Sequence, residues 1–357
     1  MLVTDGHTGE SRDSLAAVRA LARRGYRVSV TYSRKRSMAT TSRYCSRRVE
    51  VPYGWEEGYA DAIEEEASSR RYVTALPTSE VALQALGPHV PSLVNKEVLA
   101  AFARQAGVPM PPHRRFGSTA ALAGEAGSID YPVVVKPLVR NAPALRAGSP
   151  GELPRHELGP VMVQPFLSGG MHAVSGVMWE ERLVAAVHER WLRLWPAPCG
   201  LASAAETTPP DPELELRLQS MLRGYTGMFH AQFAGPYLLD LNLRIHTTHP
   251  LAEAAGVNLA GIYCDLLDGR GPDRPVRGRP GLFFRWIEGD VRSILRAIRA
   301  GDMAAGAAVR CLTPRRGAAH STESLGDPLP ALVRVERMLA RRVLGRSEGR
   351  AAPVPWP

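Results

Sequence analysis

Lysine is nearly absent from this chain. Of its 44 basic residues only Lys35, Lys96 and Lys136 are lysine, which leaves 41 arginines among 357 residues. Cysteine is almost as scarce. Cys45, Cys199, Cys264 and Cys311 form no CxxC pair, which excludes a disulfide scaffold and a zinc ribbon. The four are read as reduced thiols, and the protein is expected in the cytoplasm. No apolar run approaches the ~18 residues of a membrane-spanning helix. The opening MLVTDGHTGESRDSL has no basic segment leading into an apolar one, so no signal peptide is expected.

A hydrophobic content of 45% with 22% charged residues excludes a disordered or fibrous chain, and the length predicts two or three domains. The formal charge of +9 raises the question of nucleic acid. The arginines are scattered, however, with the densest group between Arg334 and Arg350. A compositional preference for arginine gives the same charge without any partner, and no nucleic-acid partner is expected.

The first segment reads as strand, loop, helix, strand. Met1–Thr4 is apolar, Asp5–Ser11 polar, Ser14–Arg24 helical, and Tyr26–Tyr32 alternates with a β period. A helix at Tyr59–Ser68, a strand at Tyr72–Leu76 and a helix from about Ser79 follow, predicting a parallel sheet covered by helices. Asn95 caps a helix Asn95–Gln105 with an apolar stripe of Val98, Leu99 and Phe102. Pro132–Lys136 and Val161–Leu167 read as strands, with a loop at 141–160. Ala173–Val187 reads as a hairpin turning at Glu180–Glu181, and Pro212–Tyr225 as a helix. A second hairpin joins Phe229–Phe233 to Tyr237–Leu241. Leu251–Leu267 is one helical stretch, Arg270–Pro280 a linker, and Asp290–Ala300 a last helix.

Two places carry chemistry. Lys136 ends an apolar strand, where it would project into a cleft or snorkel at the strand end. Asp240, Asn242 and Arg244 share one face of a strand because the side-chain period is two; Leu239, Leu241 and Leu243 then face the core. The same pattern also fits an ordinary strand with a polar outer face.

Three blocks, in order, resemble the ATP-grasp superfamily, most closely its carboxylate–amine ligase branch. They are Asn95-Lys96-Glu97 with AFARQAGVPMPPH, Tyr131–Pro137, and Tyr237–Arg244 with AEAAGVNLAGIYCDLLDG beyond it. Between them, Val163–Leu167 is similar to that family's interdomain hinge, and HERWLRLWP followed by CGLASAAETT to its Arg-rich strand. The resemblance implies an α/β ATP-grasp fold with a Rossmann-like N-terminal domain and a split two-part nucleotide-binding module. The implied division is 1–92, 93–160, 161–275 and a C-terminal extension at 276–357.

By that resemblance the chain joins a small-molecule carboxylate to an amine, using ATP and Mg²⁺ and passing through an acyl phosphate. Lys96 and Lys136 would hold phosphates, and Gln164, Pro165, Phe166 and Leu167 the adenine. Asp240 and Asn242 would bind metal, with Gln232 a doubtful third ligand, and Arg244 would steady the reacting oxyanion. Arg190, Arg193 and His246 are candidates for substrate contacts; His246 and His249 also read as an unligated loop pair, and the arginines as solvent-facing groups on Trp191 and Trp195.

Two departures leave an alternative open. Gln232 stands where the family has a glutamate, and the stretch LVRNAPALRAGSPGEL is poor in glycine where the family has a phosphate loop; Arg140 or Arg146 would have to replace its backbone donors. The alternative is a non-catalytic nucleotide-binding or scaffold subunit. The loop Asp5–Gly9 follows the first strand but lacks a three-glycine dinucleotide fingerprint.

Overall fold

The computed structural model describes residues 1–4, 11–33, 36–69, 72–86, 92–138 and 143–347. Lys35, Arg140 and the Asp5–Gly9 loop lie outside the described residues. Among the described residues, no helix is long and apolar enough to cross a membrane.

Four short strands open the chain: β1 (Leu2–Thr4), β2 (Val28–Tyr32), β3 (Cys45–Glu50) and β4 (Ala75–Pro77). They pair in parallel in the order β3-β2-β1-β4. The helix Arg12–Arg23 between β1 and β2 starts where the Ser11 side chain accepts the Ser14 N–H, and Gly25, at φ 89°, supplies the reversal after it. Strand β3 was not expected. Its outward residues are Ser46, Arg48 and Glu50, so it carries little apolar signal.

A second sheet is antiparallel, in the order β5 (Arg114–Phe116), β8 (Val161–Pro165), β6 (Val133–Pro137), β7 (Leu145–Ala147). Strand β7 falls within the stretch expected to be a loop; three residues are too few for an alternating pattern to register. Because β8 pairs with β5 and β6, this sheet runs to Pro165, past the boundary at 160 expected from sequence. It has its own core of Phe116, Leu122, Val133, Val135, Val161 and Val163.

The largest sheet runs β13 (Tyr237–Asn242), β12 (Gly227–Ala234), β9 (Met171–Trp179), β10 (Arg182–Trp195), β11 (Leu201–Thr208), β15 (Phe283–Arg285), β16 (Ala319–His320). Strand β14 (Val276–Arg277) adds to β10, so the expected linker contributes to the sheet. Glu180 and Glu181 turn β9 into β10 at φ 46° and 61°, the left-handed pair that a two-residue hairpin needs. The helical stretch expected at Leu251–Leu267 is two helices, His249–Ala254 and Leu259–Leu267; Gly256 at φ 92° ends the first and Asn258 caps the second.

Cores on both faces fix where this sheet's polar residues go. On one face Val174, Phe229, Phe233, Leu238, Leu241 and Leu243 pack against Leu99 and Ala103 of the helix Lys96–Gln105. That helix buries Lys96, Leu99, Ala100 and Ala103, while Phe102 is exposed, so its stripe is rotated from the one expected. On the other face Val177, Val187 and Met228 join one apolar cluster with Val3, Val18 and Val28 of the N-terminal sheet.

One buried carboxylate ties the segment before the last helix back to the start of the chain. Asp327 is buried and accepts from Arg19 Nε at 2.9 Å, Ser42 Oγ at 2.7 Å and the Arg43 N–H at 2.9 Å. Asp327→Ala removes the carboxylate that pairs with the buried Arg19 guanidinium. It should lower the unfolding free energy by about 3–5 kcal/mol in urea titrations. A loss under about 1 kcal/mol would mean that the network contributes little.

Candidate functional site

The site grows from an irregularity in the β12–β13 hairpin. Gln232 pairs with Asp240, but Phe233 pairs with Leu238, so Leu239 is an extra residue outside the ladder. Leu238, rather than the expected Leu239, therefore joins Leu241 and Leu243 in the core. The displaced Leu239 carbonyl accepts a hydrogen bond from Lys136 Nζ at 2.9 Å. Beyond the bulge, Asp240 lies opposite Gln232, Asn242 opposite His230, and His230 opposite Ser175 on β9. One polar row thus crosses three strands.

Lys96 and Lys136 meet at that row. Lys96 Nζ pairs directly with Asp240 Oδ1, and the Lys96 backbone N–H donates to the Leu138 carbonyl at 3.3 Å, tying the helix start to the end of β6. Both lysines are more than nine-tenths buried. Burial lowers the Lys136 ammonium to about 8; Asp240 opposes the fall and Lys96 adds to it. Two cations share one carboxylate.

Arg244 is held from two helices of the first 86 residues. Its Nη1 donates to Asp13 Oδ2 at 2.9 Å, its Nε lies 3.6 Å from Glu80 Oε1, and its Nη2 donates to Asn242 Oδ1 at 3.3 Å. Asp13 and Glu80 each sit in the first turn of a helix, so two helix starts frame this guanidinium. A cavity of about 600 Å³, lined by Leu76, Pro77, Leu83, Phe102 and Tyr225, reaches Arg244 but none of the other predicted site residues.

The remaining predicted residues are dispersed. Arg190 is exposed and pairs with Glu206 across the sheet. Arg193 makes a bidentate pair with the fully buried Asp290, at 2.6 and 3.0 Å, which Arg285 shares at 3.0 Å. His246 is buried, stacked face to face on His230 with centroids 3.6 Å apart. Gln164 is buried on β8, Pro165 is exposed, and Phe166 and Leu167 are half-buried; Arg146 lies over the Phe166 ring at 5.1 Å.

Sequence reasoning missed Asp13 and Glu80, and a buried polar group around Glu189. Glu189 accepts from Trp191 Nε1 at 2.7 Å and from Thr248 Oγ1 at 2.9 Å, and burial pushes its carboxyl up to about 7. One signal was available: Glu189 shares the strand parity of Val187 and Trp191, the buried face of β10.

Neither a family model nor a curated protein matches the chain. Solved structures do. An L-amino acid ligase from Bacillus licheniformis is similar with a TM-score of 0.56 at 14% identity, over 79% of this chain and 77% of that one. The biotin carboxylase domain of the Hydrogenobacter thermophilus 2-oxoglutarate carboxylase, solved with MgADP, ADP and bicarbonate, has a TM-score of 0.58 at 15% identity, over 79% and 73%. N5-carboxyaminoimidazole synthase from Aspergillus clavatus, in complex with ADP and 5-aminoimidazole ribonucleotide, has a TM-score of 0.57 at 15% identity, over 78% and 79%. The fold is the ATP-grasp fold.

Within this ATP-grasp fold the residues themselves test for a nucleotide. Among the described residues two buried ammonium groups have one carboxylate, Asp240, between them, which leaves positive charge that an anion would balance. Gln164 Nε2, buried on β8, has no hydrogen-bond partner among the described residues, so a donor at the hinge is left to a ligand. For a divalent cation the donors are thinner: the Asp240 carboxylate with the amide oxygens of Asn242 and Gln232. Among the described residues no group of three or more His, Cys, Asp or Glu gathers. Such a set suits Mg²⁺ arriving with phosphate oxygens of its own.

The scarcity of lysine makes the charge state of this cluster measurable. With three lysines in the chain, labelling lysine at Cε with ¹³C gives three resonances to follow. One should titrate near pH 8 and vanish in Lys136→Arg. If none titrates below pH ~9, burial does not depress this ammonium.

Proposed function

We propose that the chain is an ATP-dependent carboxylate–amine ligase, joining a small-molecule acid to an amine with release of ADP and phosphate. What carries this is the buried meeting of Lys96, Lys136 and Asp240 beside Arg244, in a fold whose similar structures include a ligase of amino acids and enzymes solved with ADP.

On this reading Lys96 and Lys136 grip the phosphates as compact point charges, and Gln164 Nε2 donates to the adenine at the hinge. The acid's carboxylate attacks the γ-phosphate to give an acyl phosphate. Arg244, held by Asp13 and Glu80 at the end of the polar row, stabilises the oxyanion that forms when the amine adds to the acyl carbon. Asp240, Asn242 and Gln232 would hold Mg²⁺, which when bound neutralises phosphate charge. The cavity that opens at Arg244 takes the organic part of the acid; its wall is mixed, with Leu76, Leu83 and Phe102 beside Arg223 and Thr226.

ADP release is the test, with the proteinogenic L-amino acids in turn as the acid and L-alaninamide as the amine. Release should require both and fall at least about 100-fold in Lys136→Ala; full activity in that variant would sink the assignment. Gln232 supports a second reading, a nucleotide-binding subunit without turnover, because an amide there supplies no charge to a metal. Tight MgATP binding by calorimetry with no ADP release from any pair would favour it. Gln232→Glu places a second carboxylate opposite Asp240 and should tighten the Mg²⁺ requirement severalfold. An unchanged Mg²⁺ dependence would remove Gln232 from the metal site.

A further inference from the structure

The cavity that reaches Arg244 has a second cation in its wall. Arg244 is buried at the inner end, where the register that pairs Asn242 with His230 carries it toward Met228, and both residues line the cavity. Five residues before Met228, Arg223 lines the same cavity and is exposed, so it stands at the mouth. The two guanidiniums differ in what they already hold. Arg244 lies between Asp13 and Glu80. Among the described residues no side-chain hydrogen bond or ion pair engages Arg223, and no Asp or Glu lines the cavity.

Arg223 is nonetheless carried on a braced backbone. The helix Pro212–Met221 runs out into a turn in which the Arg223 N–H donates to the Ser220 carbonyl at 3.3 Å and the Tyr225 N–H to the Leu222 carbonyl at 2.9 Å. Gly224, at φ 80°, reverses the chain there. Tyr225 Oη then donates to the Met228 carbonyl at 2.6 Å, which ties the turn to the start of β12. The rest of the wall includes the buried Leu76, Leu93 and Leu243, with the exposed Thr226 close to Arg223 in the chain.

A wall with two guanidiniums and no carboxylate repels cations and attracts anions. The planar fork of an unengaged arginine matches a carboxylate or a phosphate through two parallel hydrogen bonds. At about 600 Å³ the cavity is of the size that takes a drug-sized ligand, so it has room for a stem well beyond the reacting carboxylate. We propose that the acid is a dianion: a reacting carboxylate at the Arg244 end, an apolar stem, and a second anionic terminus, carboxylate or phosphate, held by Arg223. The assignment of the reacting end rests on the ligase function above; the grip of Arg223 on the far end is a binding property and is tested as one.

Calorimetry with the full chain reads it directly. The probes are the straight-chain dicarboxylates from butanedioate to decanedioate and the monomethyl ester of each. At the best length the dicarboxylate should bind at least about tenfold tighter than its ester. Arg223→Gln should bring the two within about twofold of each other; at an exposed position it leaves folding nearly unchanged. Arg223→Glu should reverse the order and prefer the ω-ammonium acid of that length to the dicarboxylate. An ω-phosphono acid that binds the parent more than about tenfold tighter than the dicarboxylate assigns the far terminus to a phosphate, and one that does not assigns it to a carboxylate. Binding of no dicarboxylate by the parent, equal binding of diacid and ester, or a preference that survives in Arg223→Gln overturns the proposal. ADP release on the same diacid with L-alaninamide is read separately: tight diacid binding without release counts against the ligase function and leaves Arg223 in its place.

Discussion

Two lysines and one aspartate, brought together away from water, are the constraint around which this molecule is arranged. Taking an ammonium out of water costs several kcal/mol even after relaxation, and Asp240 can balance only one of the two. The depressed affinity of Lys136 for its proton is the visible consequence. Few sequences would retain such a cluster for stability, because apolar residues of similar volume pack at no electrostatic cost. The surplus charge makes sense as half of an interaction, with an anion such as the phosphate chain proposed here supplying the other half.

Holding that surplus in place takes three separate pieces of the chain. Lys96 comes from a helix whose first turn is pinned to β6, Lys136 from β6 itself, and Asp240 from the bulged hairpin on the large sheet. The bulge is the decisive local feature. A regular β13 would turn the Leu239 carbonyl into the ladder and leave Lys136 without its acceptor. The first sheet's helices then reach in with Asp13 and Glu80 to orient Arg244, and Asp327, before the last helix, ties back to Arg19 of the first helix. Neither end of the chain is an appendage to the central sheet.

How much of this was legible follows from what a linear pattern can encode. The period of two placed Asp240, Asn242 and Arg244 together, turn residues paired the hairpin, and the two lysines were singled out by the resemblance to ATP-grasp blocks. The bulge could not be seen, because skipping one residue leaves local composition unchanged while shifting Leu238 into the place expected for Leu239. Strands of two or three residues, β7 and β14, are too short for a period to show. Asp13, Glu80, Glu189 and Thr248 escaped for another reason. Each has a partner at least 59 positions away, and only Glu189 carried a local signal, its parity with Val187 and Trp191 on the buried face of β10.

The imbalance between arginine and lysine has a structural side as well. Buried arginines here bridge several acceptors at once: Arg19 reaches the Asp327 carboxylate, the Asp327 carbonyl and the Thr322 carbonyl, and Arg193 and Arg285 both engage Asp290. A planar fork with five donors suits that work and fixes geometry while doing it. Among the described residues Lys136 makes one bond to a carbonyl and Lys96 one pair with a carboxylate, which leaves donors on each ammonium directed elsewhere. An arginine at either position would spread its charge and seek a flat bidentate partner. A compact ammonium with unused donors is the better group for a ligand that must enter, react and leave. The chain thus uses arginine to join its parts and places lysine where a bound anion would have to come and go.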